Sequence, residues 1–196
     1  IAAEPDNVEV VKNFTGKTRR SVERIENLIK TLLNIARLDT QNVMFKKMKY
    51  PVSEIISRSL EQLLTRAEIE NKEIIVDVPE NTELLCDIDW LSQAITNLVK
   101  NALDYTNEGG KIEIVCEQSP VMTRITVKDN GKGIYPDDIH NIFKRFYRSK
   151  HSVDTQGAGL GLPLAKSIME GQGGVITVES VCGRGTKFTV SFLTKL

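Results

Sequence analysis

Two glycine clusters constrain the fold of this chain more than any other feature: DNGKGI at residues 129–134 and GAGLGL at residues 157–162. Glycine lets the backbone come close to a ligand and adopt positive φ. A glycine-rich run that opens a helix also presents unpaired N–H groups and the positive end of the helix dipole to phosphate. Together the clusters predict loops that hold a nucleotide.

Two further segments complete an ordered set, NLVKNA at residues 97–102 and GRGT at residues 183–186. Asn97 and Asn101 are four residues apart and so share one helical face, where their neutral oxygens suit a hard cation such as Mg²⁺. Asp129 can accept a hydrogen bond from an exocyclic amine such as that of adenine. Aspartate before Asn-Gly also favours a plain hairpin turn, but the second glycine cluster favours the ligand role.

The set and its order resemble the ATP-binding domain of sensor histidine kinases. In that family's terms, residues 97–102 resemble the N box, 129–133 the first glycine box, 142–148 (IFKRFYR) the F box, and 157–162 and 183–188 the later glycine boxes. The F box is the specific part, because the wider ATPase superfamily shares the other boxes. The resemblance covers the chain from about Thr15 to its last residue.

The resemblance implies an α/β fold, a two-layer sandwich in which helices cover one face of a mixed, mostly antiparallel sheet. A long bundle helix precedes it. The strand and helix patterns predict the same architecture, since strands paired as hairpins alternate with helices. We expect residues 1–45 to be part of a helical dimerisation region and residues 46–196 to be the catalytic ATP-binding domain.

The long helix is predicted from Thr15 to Asp39, after a turn or lead-in over residues 1–14. Its apolar positions step by three and four residues, which is a coiled-coil type of seam: Val22, Ile25, Ile29, Leu32 and Ala36. The helix could pack on its own domain. We favour an inter-subunit bundle and therefore a homodimer, because further leucines widen the stripe beyond a two-stranded seam.

The remaining elements follow from periodicity and turn signals. We predict helices over residues 52–67, 91–102 (capped by Asp87 or Asp89) and 160–172, strands at 73–78 and 84–87, hairpins at 111–117 with 122–128 and 175–180 with 186–192, and a mobile loop over 149–156.

The resemblance also assigns roles to individual residues. Asn101 is expected to bind Mg²⁺, Asn97 to reach phosphate or metal, and Asp129 to recognise the base. Beyond the resemblance, we hypothesise that Arg145 contacts the γ-phosphate, with Arg148 and Lys150 as further candidate cations. The remaining expected ATP-binding residues are Tyr105, Gly131, Gly133, Ile134, Gly157, Gly159, Leu160, Gly161, Leu162 and Thr186. Tyr105 could instead be ordinary edge packing.

Asp104 departs from the resemblance, since a phosphate-binding lysine is common at that position in the family. An aspartate cannot contact phosphate in the same way. Lys100, one turn earlier, is expected to pair with it. The charge of the phosphates would then be met by other cations.

Composition limits the partners and the compartment. Lys plus Arg and Asp plus Glu are both 26, so the net charge is zero, which argues against nucleic acid as a partner. No apolar run of about 18 residues is present, so we expect contact with a membrane only through segments outside this chain. We expect the chain to be a cytoplasmic fragment of a membrane-anchored parent protein. Cys86, Cys116 and Cys182 are expected to be buried and reduced.

The two histidines, His140 and His151, do not lie in the context of a phosphate acceptor. The acceptor is therefore expected upstream of Ile1. The sequence predicts a kinase core that binds Mg-ATP and passes the γ-phosphoryl group to that histidine and then to an aspartate of a response regulator docked on the long helix. The alternatives are a degenerate ATP-binding module that gates a partner without catalysis, and another enzyme of the same ATPase superfamily.

Overall fold

The computed structural model describes residues 5–40, 42–150 and 157–193, with the backbone alone for residues 5–10 and 20. The elements in chain order are α1 (Pro5–Asp39), β1 (Met48–Pro51), α2 (Val52–Leu60), α3 (Leu64–Ile69), β2 (Glu73–Asp77), β3 (Glu83–Cys86), α4 (Ile88–Tyr105), β4 (Lys111–Gln118), β5 (Met122–Asp129), α5 (Pro136–Ile139), α6 (Gly161–Gln172), β6 (Val175–Val181) and β7 (Gly185–Leu193). The loop predicted to be mobile falls largely on residues 151–156, which lie outside the described residues.

A five-stranded sheet forms one layer, with strand order β2-β4-β5-β7-β6. Only the β2–β4 pair is parallel; β4–β5, β5–β7 and β6–β7 are antiparallel. Strands β1 and β3 form a separate antiparallel pair. Both predicted hairpins are confirmed, and so is the mixed, mostly antiparallel sheet.

Helices α4 and α6 cover the inward face of the sheet, and α2 packs against α4. Burial alternates along β4 and β5, so that Ile112, Ile114, Ile125 and Val127 point into the core while their neighbours face outward. Alternation of this kind is what a sheet with one covered face requires. The predicted two-layer α/β sandwich is confirmed.

Helix α4 carries three of the residues that were expected to bind ligand, Asn97, Asn101 and Tyr105, and its start is fixed by Asp87. The Asp87 side chain accepts a hydrogen bond from the backbone N–H of Trp90 at 3.3 Å, so Asp87 is the N-cap rather than Asp89. Leu91, Ile95 and Leu98 are fully buried against the sheet layer. The opposite end of the helix is thereby held in a fixed position beside the loop after β5.

Three predictions about local structure were wrong. Helix α1 begins at Pro5 rather than Thr15; proline suits the first turn, where its missing N–H is not needed. The helix predicted over residues 52–67 is two helices separated by a turn at residues 61–63; Leu60, Leu63 and Ala67 stay buried in the same core, whereas Leu64 is exposed. Cys182 is exposed in the β6–β7 turn, so it is not a core thiol.

The other two cysteines are buried as predicted. Burial, reinforced by the charge of Asp87, raises the pKa of the Cys86 thiol to about 12. Burial raises the pKa of the Cys116 thiol to about 11. Both therefore remain protonated, unreactive thiols at neutral pH.

Helix α1 packs on α6 through one face, on which Ile35 is 1% exposed. The five seam residues, Val22, Ile25, Ile29, Leu32 and Ala36, are exposed. One face of α1 thus packs on its own chain while another apolar face stays exposed. Packing on its own domain and packing in an inter-subunit bundle are therefore compatible. None of the helices in the described ranges is long and apolar enough to cross a membrane.

The segment that follows α1 is fastened to the rest of the chain. Phe45 packs edge-on against Trp90 with ring centroids 6.0 Å apart, and the Lys46 N–H donates to Asp87 Oδ2 at 2.8 Å. Lys47 Nζ donates to the backbone carbonyl of Gln172 at 2.5 Å. These contacts join the linker to the start of α4 and the end of α6.

Candidate functional site

A cavity of about 1090 Å³ lies between α4, the loop after β5, the start of α6 and one face of α1. It is lined by thirteen of the residues expected from the sequence: Asn97, Asn101, Tyr105, Gly131, Gly133, Ile134, Arg148, Gly157, Gly159, Leu160, Gly161, Leu162 and Thr186. Residues far apart in the chain therefore meet at one site.

Asp129 lies directly behind the cavity wall at the end of β5 and is 4% exposed. Its Oδ1 accepts hydrogen bonds from the backbone N–H groups of Gly131 at 2.9 Å and Thr186 at 3.2 Å. Among the described residues, none donates a hydrogen bond to Oδ2. Burial raises the pKa of the Asp129 carboxyl above its usual value, and the two N–H groups only partly oppose this. One carboxylate oxygen is thus committed to the protein and the other is available to a ligand.

The first glycine box packs directly against protein backbone. A Cβ at Gly131 would lie 2.3 Å from the carbonyl oxygen of Tyr105, which also accepts from the Lys132 N–H at 3.0 Å. Gly133 has φ +68°, and a Cβ there would lie 2.2 Å from the carbonyl oxygen of Val181. From the sequence, we attributed these glycines to the close approach of the adenine base. The structure shows that contacts with the end of α4 and with β6 already require them.

The polar face of α4 meets the start of α6. Asn97 and Asn101 both line the cavity, and Asn97 Nδ2 is a buried donor with no hydrogen-bond partner among the described residues. A Cβ at Gly161, the first residue of α6, would lie 3.4 Å from Asn97 Oδ1. No side chain caps α6 in the part of the chain described. Unpaired donors at a helix start form a natural site for an anion.

The second glycine box contacts the F box. The backbone N–H of Phe146 donates to the Gly159 carbonyl at 2.9 Å, and a Cβ at Gly159 would lie 2.5 Å from the carbonyl oxygen of Tyr147. Gly157, by contrast, is exposed and has no atom within 4 Å of an added Cβ. Leu160 is 3% exposed and so holds the start of α6 against the core.

The pattern of the Histidine kinase-, DNA gyrase B-, and HSP90-like ATPase family matches residues 86–196, which is more than half of the chain. The chain belongs to this family. The match begins at the end of β3 and so contains α4, both glycine boxes and the strands that carry Asp129 and Thr186.

Relatives narrow the assignment to the sensor histidine kinases. Sensor protein SrrB of Staphylococcus aureus is 30% identical over 192 residues, covering 97% of this chain and 32% of the relative. The chain therefore spans about a third of the length of the curated relatives it matches. The structure of full-length ShkA in complex with AMPPNP gives a TM-score of 0.81 at 25% identity, over 92% of this chain and 38% of that one. Histidine kinase ThkA in complex with response regulator protein TrrA shares the fold, with a TM-score of 0.76 at 22% identity over 98% and 53% of the two chains.

Two of the three cations expected at the phosphates, Arg145 and Lys150, do not line the cavity. Arg145 has another partner. Its guanidinium forms an ion pair with Asp39 at the end of α1, and it is absent from the cavity lining. Arg148 does line the cavity. Asp104 also differs from expectation, because its carboxylate pairs with Arg66 at 2.7 Å rather than with Lys100.

Two groups of site residues had no signal in the sequence. Five residues of α1, namely Glu23, Arg24, Asn27, Leu28 and Thr31, line the cavity. Ser180 on β6 supports the glycine boxes: its Oγ accepts from the Ile134 N–H at 2.8 Å and donates to the Gly185 carbonyl at 2.9 Å. It also lies 3.1 Å from Thr186 Oγ1. A serine in an alternating strand gives no hint of such a role.

Replacing Ser180 with alanine is expected to lower the free energy of unfolding by about 1–2 kcal/mol, because the Ile134 N–H loses its acceptor. Urea denaturation of both proteins measures the difference. Ser167→Ala on α6, which removes another half-buried serine, is the matched control and should change stability less. Equal losses in the two variants would contradict the supporting role of Ser180.

Proposed function

We propose that this chain is the cytoplasmic kinase core of a two-component sensor histidine kinase. It binds Mg-ATP, supports transfer of the γ-phosphoryl group to a histidine outside this chain, and so supplies phosphoryl for an aspartate of a response regulator. The observation that carries the proposal is Asp129, a buried carboxylate behind the cavity wall: one oxygen is held by the backbone N–H groups of Gly131 and Thr186, which line the cavity, and no described residue donates to the other. Such an oxygen is suited to accept from the adenine amine.

The polar end of the cavity fits the triphosphate and its cation. The unpartnered Asn97 Nδ2 and the uncapped start of α6 can donate to phosphate oxygens, while Asn101 offers a neutral oxygen of the kind that Mg²⁺ prefers. When bound, Mg²⁺ would offset negative charge on the phosphate oxygens during transfer. Arg148 is the F-box cation placed to assist, since Arg145 faces Asp39.

The acceptor histidine is proposed to lie outside this chain. Of the two histidines, His140 is exposed at the end of the short helix α5 and not on the bundle helix α1, and His151 lies outside the described residues. The exposed seam of α1 supports a homodimer through a helical bundle. Support for a response regulator as partner comes from membership of the family and from the ThkA complex with TrrA.

Calorimetric titration with ATP, with and without Mg²⁺, tests the nucleotide site. We expect Mg²⁺-dependent binding that Asn101→Ala weakens by about tenfold, because the variant lacks the amide oxygen for the cation. Asn13→Ala, at an exposed position of α1, is the control and should bind like the parent. Absence of binding to the folded parent would refute the proposal.

A degenerate, non-catalytic ATP-binding module is the second candidate, and two observations favour it. Arg145 is occupied by Asp39, and the cavity wall carries the acidic Asp104. Labelled ATP incubated with this chain and an added helical segment bearing an acceptor histidine separates the candidates. Acid-labile label on the segment supports the kinase, whereas ATP binding without transfer supports the module.

A further inference from the structure

Four charged side chains form a continuous network of ion pairs beside the cavity. Lys72 Nζ lies 2.5 Å from Glu70 Oε2, Glu70 Oε1 lies 2.6 Å from Arg66 Nε, and Arg66 Nη2 lies 2.7 Å from Asp104 Oδ1. Lys72 also donates to the carbonyl of Leu103 at 2.8 Å. The charges alternate in sign and sum to zero, and the network ends at Asp104 on α4.

Only one end of this network, Asp104, reaches the cavity. Asp104 lines it together with Asn97 and Asn101, seven and three residues earlier on the same helical face. Arg66 is absent from the lining and lies behind Asp104, with 33% of its side chain exposed against 25% for Asp104. A negative carboxylate therefore stands on the wall beside the asparagines that suit phosphate and cation.

The network keeps Arg66 and Glu70 charged. Partial burial alone would lower the pKa of Arg66, but hydrogen bonds and charges from Glu70 and Asp104 raise it above its usual value. Burial likewise opposes ionisation of Glu70, yet Lys72 and Arg66 lower the pKa of its carboxyl. The guanidinium is thus a permanent, fixed positive charge next to the Asp104 carboxylate.

We propose that Arg66 is a positioning residue for the nucleotide phosphates: its ion pair cancels the charge of Asp104 and lets the cavity accept a triphosphate. The inference rests on the proposed ATP-binding function. A phosphate chain beside an uncancelled carboxylate is repelled, and the repulsion grows with the number of phosphate charges. Arg66 therefore affects phosphate binding without touching the nucleotide.

The test compares Arg66→Met, Asp104→Asn and the double variant, each titrated with ATP, ADP and adenosine in the full chain with Mg²⁺. We expect Arg66→Met to weaken ATP binding by roughly five- to tenfold, the size of one unit charge acting across a solvated cavity. ADP should be affected less and adenosine not at all. Asp104→Asn should tighten ATP binding a fewfold, because the positive charge of Arg66 is then no longer cancelled by a carboxylate at position 104.

The double variant separates charge from architecture. If Arg66 acts by cancelling Asp104, the double variant binds ATP nearly as the parent does, and added salt shrinks the defect of Arg66→Met. Arg66→Lys, which keeps the charge, should recover most of the affinity. Arg58→Met removes an arginine paired with Glu54 and Asp89 outside the cavity lining, and should leave ATP affinity unchanged.

Distinct outcomes overturn the inference and the proposed function. A parent chain that is folded but binds no ATP refutes the proposed function. A parent that binds ATP, with a double variant as weak as Arg66→Met or equal losses for ATP and adenosine, overturns the role given to Arg66. Should Arg66→Met not fold, Asp104→Asn decides alone, and an unchanged ATP affinity would reject the inference.

Discussion

Asp129→Asn is expected to weaken ATP binding by roughly 10- to 100-fold while the protein stays folded. The reason is that the two carboxylate oxygens have different partners: Oδ1 binds protein backbone, and Oδ2 is proposed to bind the ligand. Asparagine can keep an oxygen at the Oδ1 position, where Gly131 and Thr186 donate, and so preserve both backbone hydrogen bonds. Its NH₂ group then replaces Oδ2 and meets the adenine amine donor to donor.

The same substitution should not destabilise the chain at neutral pH. Because burial raises the pKa of Asp129 in the folded state, the native protein binds more protons than the unfolded chain between the two pKa values. The stabilising contribution is therefore full below the unfolded pKa of about 3.9 and is lost as pH rises through the folded pKa. At pH 7 the parent carries a buried charge that the asparagine variant lacks.

Calorimetry for ATP and urea denaturation for stability, both at pH 7, check these expectations. Asp137→Asn, at an exposed position of α5, is the matched control and should alter neither quantity. ATP binding by the parent should also decline on acidification from a higher pH than an ordinary carboxyl would give. Undiminished affinity in Asp129→Asn would remove Asp129 from base recognition, and loss of folding would assign it a structural role instead.

The sequence was sufficient for those parts of the fold that local pattern determines. Alternation along residues 111–117 and 122–128 predicted the central hairpin, and the stripe from Leu91 to Ala102 predicted α4, because burial on one face imposes a period on the residues. The glycine boxes predicted loops that meet at one cavity, but the sequence attributed Gly131 and Gly133 to approach by a ligand, whereas in the structure contacts with protein backbone require them. The family assignment was confirmed by the match over residues 86–196.

Features that depend on distant contacts could not be predicted. The pair between Arg145 and Asp39 joins residues 106 positions apart, and no local pattern connects them. The partner of Asp104 is Arg66, 38 residues earlier on another helix, although Lys100 stood at the right helical spacing. Cys182 occupies a position that continues the strand alternation but falls in a turn, where exposure follows from the hairpin geometry.

Gly133→Ala is expected to lower the free energy of unfolding by about 3–5 kcal/mol and to abolish ATP binding. At φ +68° an alanine is strained by about 1–2 kcal/mol. Its Cβ would also lie 2.2 Å from the Val181 carbonyl, so the loop or β6 must move. Such a loss is a large part of the 5–15 kcal/mol that holds an ordinary domain together.

Two other glycines separate the strain from the clash. Gly183 has φ +79° but no atom within 4 Å of an added Cβ, so Gly183→Ala should cost only the strain, about 1–2 kcal/mol. Gly157 has neither constraint, and Gly157→Ala should leave stability within about 0.5 kcal/mol of the parent. Urea denaturation of the three variants gives the ranking. Equal losses of stability at Gly133 and Gly183 would mean that the backbone relieves the contact with Val181 at no cost. A loss of stability at Gly157 would mean that its segment is more tightly packed than its exposed position indicates.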